Sequence, residues 1–143
     1  MKKLQLAFLA LVAVVSNGAL QRAAAAPQVY AGPHAYSSFL VDGAGTLSAW
    51  GENGGGGLGI GGYTDQPRPS AVPFPAGVHG WRGVAAASGF YGDWTYAIGD
   101  DSQLYGAGNI SFNYFPSMTL IPPPVGIGGW ASVAASDQGW LAV

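Results

Sequence analysis

The chain has 143 residues, of which 49% are apolar, 8% are charged and none is cysteine, and its formal net charge is −2. No cysteine means no disulfide, no thiolate metal site and no lipid attached through an N-terminal cysteine. Of five lysines and arginines, Lys2, Lys3 and Arg22 fall in the first 22 residues, which leaves too few cations to neutralise a phosphate backbone or to hold an anionic membrane surface.

The first element in chain order is a targeting segment. Lys2 and Lys3 precede ten consecutive apolar residues, Leu6 to Val15, and the small-residue tail Ala23-Ala24-Ala25-Ala26 runs into Pro27. That layout predicts a secretory signal peptide over residues 1–25. The apolar run is well short of the ~20 residues a spanning helix needs. Cleavage is expected after Ala25, because a cut after Ala26 would place the ring of Pro27 at the scissile bond; a cut nearer Gly18 is the alternative. The product is expected to be secreted, periplasmic or displayed at the cell surface.

The remaining 118 residues suffice for one domain, and they hold only Arg68 and Arg82 against seven carboxylates, a net charge of −5. Glycine and proline supply 33 of them, a share that often marks disorder, but 17 aromatics argue against it. Gly and Pro punctuating aromatic and β-branched runs predict short strands joined by tight turns. The first such unit begins with "SSFLVDGAGTLSAWGEN" at 37–53, a hairpin turning at Asp42-Gly43-Ala44-Gly45. A glycine loop, "GENGGGGLGIGG", and a proline-rich connector, "QPRPSAVPFP" at 66–75, follow it. The second unit opens with "GWRGVAAASG" at 80–89 and runs through "FYGDW" at 90–94 into a hairpin turning at Gly99-Asp100-Asp101-Ser102. Its connector is "FPSMTLIPPPVG" at 115–126, after which "GWASVAASDQG" at 129–139 and Trp140 to Val143 open a third. Alanine favours helix in that last stretch, but its counterpart carries Gly83 before Val84, and the repeat outweighs the propensity.

The repeat is an internal one. Trp81 and Trp130 are 49 positions apart, each after a glycine and each followed by Val-Ala-Ala at the same spacing. Ser38 to Val41 matches Thr95 to Ile98, and Leu47 matches Leu104, both at an offset of 57. Units of about 29–80, 81–129 and 130–143 result, the last cut short. A period near 50 made of short strands, with an aromatic and a glycine signature in each unit, predicts the blades of a β-propeller.

The residues that carry this pattern resemble a known family. "VAAASG…TYAIGDDSQLYGAGN" and "LSAWGENGGGGLGIGGYTDQPRPSAVPFP" are similar to the regulator-of-chromosome-condensation repeat, RCC1-like, of a secreted bacterial type. Trp50, Gly51, Asn53, Gly56, Leu58 and Gly59 stand in register with its signature, with Gly57 in place of the usual Gln. The second unit keeps Leu104, Tyr105, Gly108 and Asn109 but has Ala107 in place of Trp, and "SFNYFPS" replaces its glycine run. The resemblance implies an all-β propeller of which this chain holds about two and a half blades. It also implies that the glycine loop leaves a blade strand and turns the chain toward the outer edge of the blade.

Candidate chemistry is sparse. A phosphate loop would need a Gly-Lys-Ser/Thr end and a following helix, but residues 26–143 have no lysine, and Pro67, Pro69, Pro73 and Pro75 forbid that helix. His34 and His79 stand alone, Asp100 and Asp101 are expected to shape a turn, and no nucleophile motif occurs. The expectation is therefore no catalytic residue, no metal site and no cofactor. The aromatic loop residues Phe90, Tyr91, Trp94, Phe112, Tyr114 and Phe115 are the candidate contacts for a protein or glycan ligand. The alternatives are a secreted propeller enzyme acting on glycans and a purely structural surface repeat. Two and a half blades cannot close a ring. The chain is thus expected to be part of a longer protein or to self-associate through unclosed blade edges, with Phe39, Val41, Leu141 and Val143 facing water.

Overall fold

A computed structural model describes residues 26–32, 36–89, 92–136 and 139–143; the side chains of residues 139–141 lie outside that description, as do residues 1–25, where the signal peptide is expected, His34, Phe90 and Tyr91. Every regular element among the described residues is a β-strand. The first sheet is built from β1 (Gln28–Tyr30), β2 (Ser37–Val41), β3 (Leu47–Gly51) and β4 (Gln66–Ala71), in that spatial order. The second is built likewise from β5 (Trp81–Gly89), β6 (Gly92–Gly99), β7 (Leu104–Ile110) and β8 (Asn113–Ile121). Strands β9 (Val133–Ser136) and β10 (Gly139–Ala142) form a two-stranded third sheet. All pairings are antiparallel between neighbours in sequence, so each sheet is a meander.

The two hairpin turns form where the sequence predicts them. The Asp42 carboxylate accepts hydrogen bonds from the backbone N–H groups of Ala44 and Thr46, each at 2.9 Å, and Asp101 accepts one from Gln103 N at 3.0 Å. The "VAAASG" segment is strand β5 rather than helix. The proline-rich stretches differ from the expectation, because they are not plain connectors. The first contains β4 and the second supplies most of β8, the outermost strand of each sheet. A proline is tolerated on such a strand because one side of it has no ladder to serve.

Strand alternation gives each sheet two faces, and the register shows how they stack. Phe39, Val41, Leu47 and Ala49 form the inner face of the first sheet and are buried, together with Val72 just beyond β4. They share one core with Val84, Ala86, Ala97, Tyr105 and Ala107 of the second sheet. The opposite face of the second sheet, with Tyr96, Ile98 and Leu104, packs against Val133, Ala135 and Ala142 of the third and against Trp130, which precedes it. Phe39 and Val41 were expected at an open face, and here the structure corrects the sequence reading. Both strand faces are apolar, so alternation alone cannot say which one a neighbouring blade covers.

The junctions repeat as well as the sheets. Trp81 N donates to Gly45 O at 2.8 Å, and Trp130 N donates to Ser102 O at 2.8 Å. Each tryptophan thus pins the entry of its own blade to the hairpin turn of the blade before. The Trp81 ring lies in the first core, stacked on Phe74 with centroids 6.1 Å apart and edge-on to Tyr105 at 5.5 Å.

Candidate functional site

The glycine loop is the part of the chain whose fate matters most for a site. Its organiser is Asn53, which is completely buried. The Asn53 amide donates to Gly62 O at 2.9 Å and to Thr64 O at 3.2 Å, and its side-chain oxygen accepts from Leu58 N at 3.0 Å. The Asp65 carboxylate accepts from Asn53 N at 2.8 Å. One asparagine thereby closes the loop on itself and drives Leu58 into the first core.

The loop does not simply turn along its own blade. Gly61 N donates to Pro116 O at 2.7 Å, and Ile60 forms a bridge to Ser117 of β8. Gly56 has a φ of 79°, and a Cβ there would lie 2.9 Å from Pro116 Cα. A Cβ at Gly57 would lie 2.9 Å from the Asp93 Cβ. The bare backbone is what lets the loop lie flat against the next sheet, so it serves as a clamp between blades.

Two tyrosines flank this clamp. Tyr63 is 51% exposed and Tyr114 is 54% exposed. The Tyr63 ring edge comes within 3.2 Å of where a Gly56 Cβ would stand, and that of Tyr114 within 3.9 Å of a Gly55 Cβ. Phe112 sits on the same hairpin as Tyr114, in the β7–β8 turn, and is 76% exposed. Ser111 and Phe112 both hold left-handed backbone, with φ of 53° and 65°, which is rare for a bulky residue. This turn directs a large ring at solvent.

The six aromatics expected as contacts therefore separate. Tyr114 and Phe112 are presented to solvent, and Phe115, opposite Gly108 in β8, is half-buried. Trp94 packs in the second core against Tyr96, Ile98 and Leu104. Phe90 and Tyr91 lie outside the described residues. Sequence reasoning missed Tyr63. Its only local signal is an aromatic after a glycine run, and its neighbours in β8 lie more than 50 positions away in the chain.

The polar groups elsewhere serve structure. A groove of about 610 Å³ opens between the first hairpin turn and the start of β5, lined in part by Tyr30, Asp42, His79, Arg82 and Asp100. The Asp42 carboxylate is engaged in its turn, and that of Asp100 accepts from His79 N at 3.1 Å. That backbone hydrogen bond is the main cause holding the Asp100 carboxyl below its usual range. Tyr105 donates to the second oxygen of Asp101 at 2.7 Å. Burial first, and then this hydrogen bond, push the Tyr105 phenol up to about 12. No group of three or more metal-ligating side chains converges among the described residues.

Four-stranded antiparallel meanders stacked face to face around repeated junctions are the blades of a β-propeller. No protein-family model and no curated protein matches the sequence. Solved structures do. Human WBSCR16 is 23% identical over 81% of this chain and 30% of its own, with a TM-score of 0.66. Prp20p from Saccharomyces cerevisiae, in the crystal structure whose description includes its binding properties to Gsp1p and histones, is 19% identical over 81% of this chain and 30% of its own, with a TM-score of 0.63. Yeast RCC1 (Prp20) bound to Kap60 is 20% identical over 81% of this chain and 29% of its own, with a TM-score of 0.61. The chain thus has the RCC1-like repeat fold and spans about 30% of the length of the solved structures it matches.

Proposed function

We propose that this chain is an exported, non-enzymatic RCC1-like module that binds a protein partner through the aromatic edge formed by Tyr63, Tyr114 and Phe112. The observation that carries the reading is the presentation of Phe112, 76% exposed on a left-handed turn beside two half-exposed tyrosines. Holding a phenylalanine in that backbone costs of order 1–3 kcal/mol, and such strain tends to collect at functional sites. Exposed aromatics over bare backbone are favoured anchors for a partner, because they bring a large contact area at little cost in side-chain entropy. The descriptions of two similar structures name protein partners for the yeast proteins, Kap60 in one and Gsp1p and histones in the other, which favours a protein over a glycan here. The non-enzymatic reading is supported by how the carboxylates are used: Asp42, Asp65, Asp100 and Asp101 each accept backbone hydrogen bonds in a turn or loop. Export rests on the signal-peptide pattern of residues 1–25.

The test is capture of proteins from the extracellular fraction of the host by the wild type and by Tyr63→Ser/Tyr114→Ser. A partner retained by the wild type and lost by the variant, with unchanged thermal melting, is the expected result. Equal capture by both would overturn the assignment of this edge. Retention by an immobilised glycan instead of a protein would overturn the partner class. For export, N-terminal sequencing of the product should begin near Ala26, and a cytoplasmic product that keeps Met1 would refute it.

A further inference from the structure

Four aspartates, Asp42, Asp65, Asp100 and Asp101, accept backbone hydrogen bonds in turns or loops. Asp93 has no such duty. It is only 7% exposed, yet its carboxylate makes no hydrogen bond and no ion pair. A carboxylate buried this far without a partner is costly, because the hydration it gives up is not replaced. Among the described residues, the buried side-chain nitrogens and oxygens that lack a partner are the indole nitrogens of Trp81 and Trp130. The Asp93 oxygens are not among them, so they are not sealed from solvent and lie in a recess.

The recess has a definite place in the fold. Alternation along β6 puts Asp93 on the face it shares with Ala97, toward the first blade, and there the glycine loop lies over it. A Cβ on Gly57 would stand 2.9 Å from the Asp93 Cβ. A Cβ on Gly55 would stand 3.5 Å from Asp93 N and 3.9 Å from Tyr114 Cε1, so the width of one absent side chain separates Asp93 from that ring. A Cβ on Gly56 would come within 3.2 Å of Tyr63 Cε1, and Gly54 faces open space. A recessed carboxylate, bare backbone and two half-exposed tyrosines thus share one corner. Two four-stranded sheets build it, so the corner is an internal junction of the propeller rather than an end of the array.

The chain brings no cation of its own to this corner. Arg82 donates to Ser102 at 3.1 Å, Arg68 is exposed on β4, and residues 26–143 contain no lysine. A metal ion fits poorly, since one carboxylate leaves most of its coordination shell unfilled and no metal-ligating group of side chains converges among the described residues. A lysine or arginine side chain fits well. Its apolar stem can lie over bare glycine along the tyrosine rings while its charged head reaches the carboxylate. The net charge of −5 over residues 26–143 draws a basic partner toward it.

We infer that the Asp93 carboxylate, with Tyr63 and Tyr114 beside it, receives a lysine or arginine side chain of the protein partner. This rests on the reading that the aromatic edge binds a protein, and it supplies the chemistry of the residue that the edge anchors.

The probes are terminally blocked heptapeptides of glycine and serine around one central lysine, arginine or glutamine, titrated into the exported chain and followed by amide NMR. The lysine and arginine peptides are expected to shift the amides of Gly54 to Gly57 and of Asp93 saturably. The glutamine peptide is expected to bind at least ~10-fold more weakly. Asp93→Asn keeps the size of the side chain and is expected to bind the lysine peptide no better than the glutamine one. It is also expected to melt no lower than the wild type, since the carboxylate has no protein partner to lose. No saturable shift, equal binding of the lysine and glutamine peptides, unchanged affinity in Asp93→Asn, or a lower melting temperature of that variant would each overturn the inference. Saturation of the same amides by calcium chloride and not by the peptides would assign the recess to a metal ion instead. Capture from the extracellular fraction separates failure of the pocket from failure of the edge. If Asp93→Asn retains a partner that Tyr63→Ser/Tyr114→Ser loses, the aromatic edge stands and the cation pocket falls. If both variants capture as the wild type does while the peptides still discriminate, the pocket stands and the edge reading falls.

Discussion

Gly108 and Gly51 occupy the same place in successive blades, each at a register shift in the third strand and each with positive φ, 87° and 111°. A Cβ on Gly108 would stand 2.1 Å from Asp93 O, an overlap that no rotamer relieves because the obstacle is backbone. Gly62 lies in open space with ordinary backbone. Gly108→Ala is therefore expected to cost more than ~3 kcal/mol, and Gly62→Ala within ~0.5 kcal/mol. Denaturant unfolding of the two variants checks this, and similar midpoints would contradict the account of the bulge. Tyr105 supplies the pH counterpart. Its folded-state pKa is raised from the ordinary phenol value of 10.0 to about 12, chiefly by burial and next by the hydrogen bond to Asp101. The neutral phenol is thus favoured in the folded state. Its contribution is fully present below pH 10 and is lost as the pH rises through about 12. Melting temperature measured from pH 8 upward should fall across that window, and the fall should be shallower in Tyr105→Phe. Identical pH profiles for the two proteins would remove Tyr105 from the explanation.

Among elements, the glycine loop ties two blades together through one asparagine. Asn53→Ala would strand the N–H of Leu58 and the carbonyls of Gly62 and Thr64 in a closed loop, at an expected cost of about 2–4 kcal/mol. Because Gly61 and Ile60 hold on to β8, the effect should reach the second blade, and amide exchange at Ser117 and Met118 should quicken along with that of the loop. Exchange that quickens only in the loop would mean that it is no clamp. The strands themselves were legible in the sequence, since the Asp42-Gly43 and Asp100-Asp101 turns, the alternating apolar residues and the offset of 57 are all local or periodic signals. Which face meets which blade was not, and Phe39 and Val41 show why. A strand apolar on both sides fits either assignment until its neighbour is placed. The outer strands were hidden by Pro67, Pro69 and Pro116, which local rules read as loop and which an edge strand accepts. The candidate edge was half legible. Phe112 and Tyr114 stand out as loop aromatics, whereas Tyr63 joins them only because the clamp folds onto a strand distant in sequence.

For the molecule as a whole, stability is expected to fall along the chain from the first interface to the second. The interface between the first two sheets is a single core that includes Phe39, Leu47, Ala49, Leu58, Ala97 and Ala107, all 0% exposed, and the glycine clamp and the Trp81 junction reinforce it. At the second interface the buried residues among those described are Tyr96, Ile98 and Leu104, and the described residues the third blade offers in return, Trp130, Val133, Ala135 and Ala142, are partly buried. A two-stranded hairpin is marginal by itself in water and must borrow its stability from the surface it rests on. Opening β9 and β10 breaks one interface, whereas opening a central strand of the second sheet breaks into both cores. Amides in free loops aside, those of Val133 to Ala142 should therefore exchange first, through local opening that denaturant barely accelerates. Those of β6 and β7, covered on both faces, should exchange last and only by global unfolding. Hydrogen exchange followed by mass spectrometry across low denaturant concentrations resolves the two classes. If the hairpin amides were as protected as those of β6, the third sheet would be an integral part of the folding unit and the gradient between the two interfaces would be wrong.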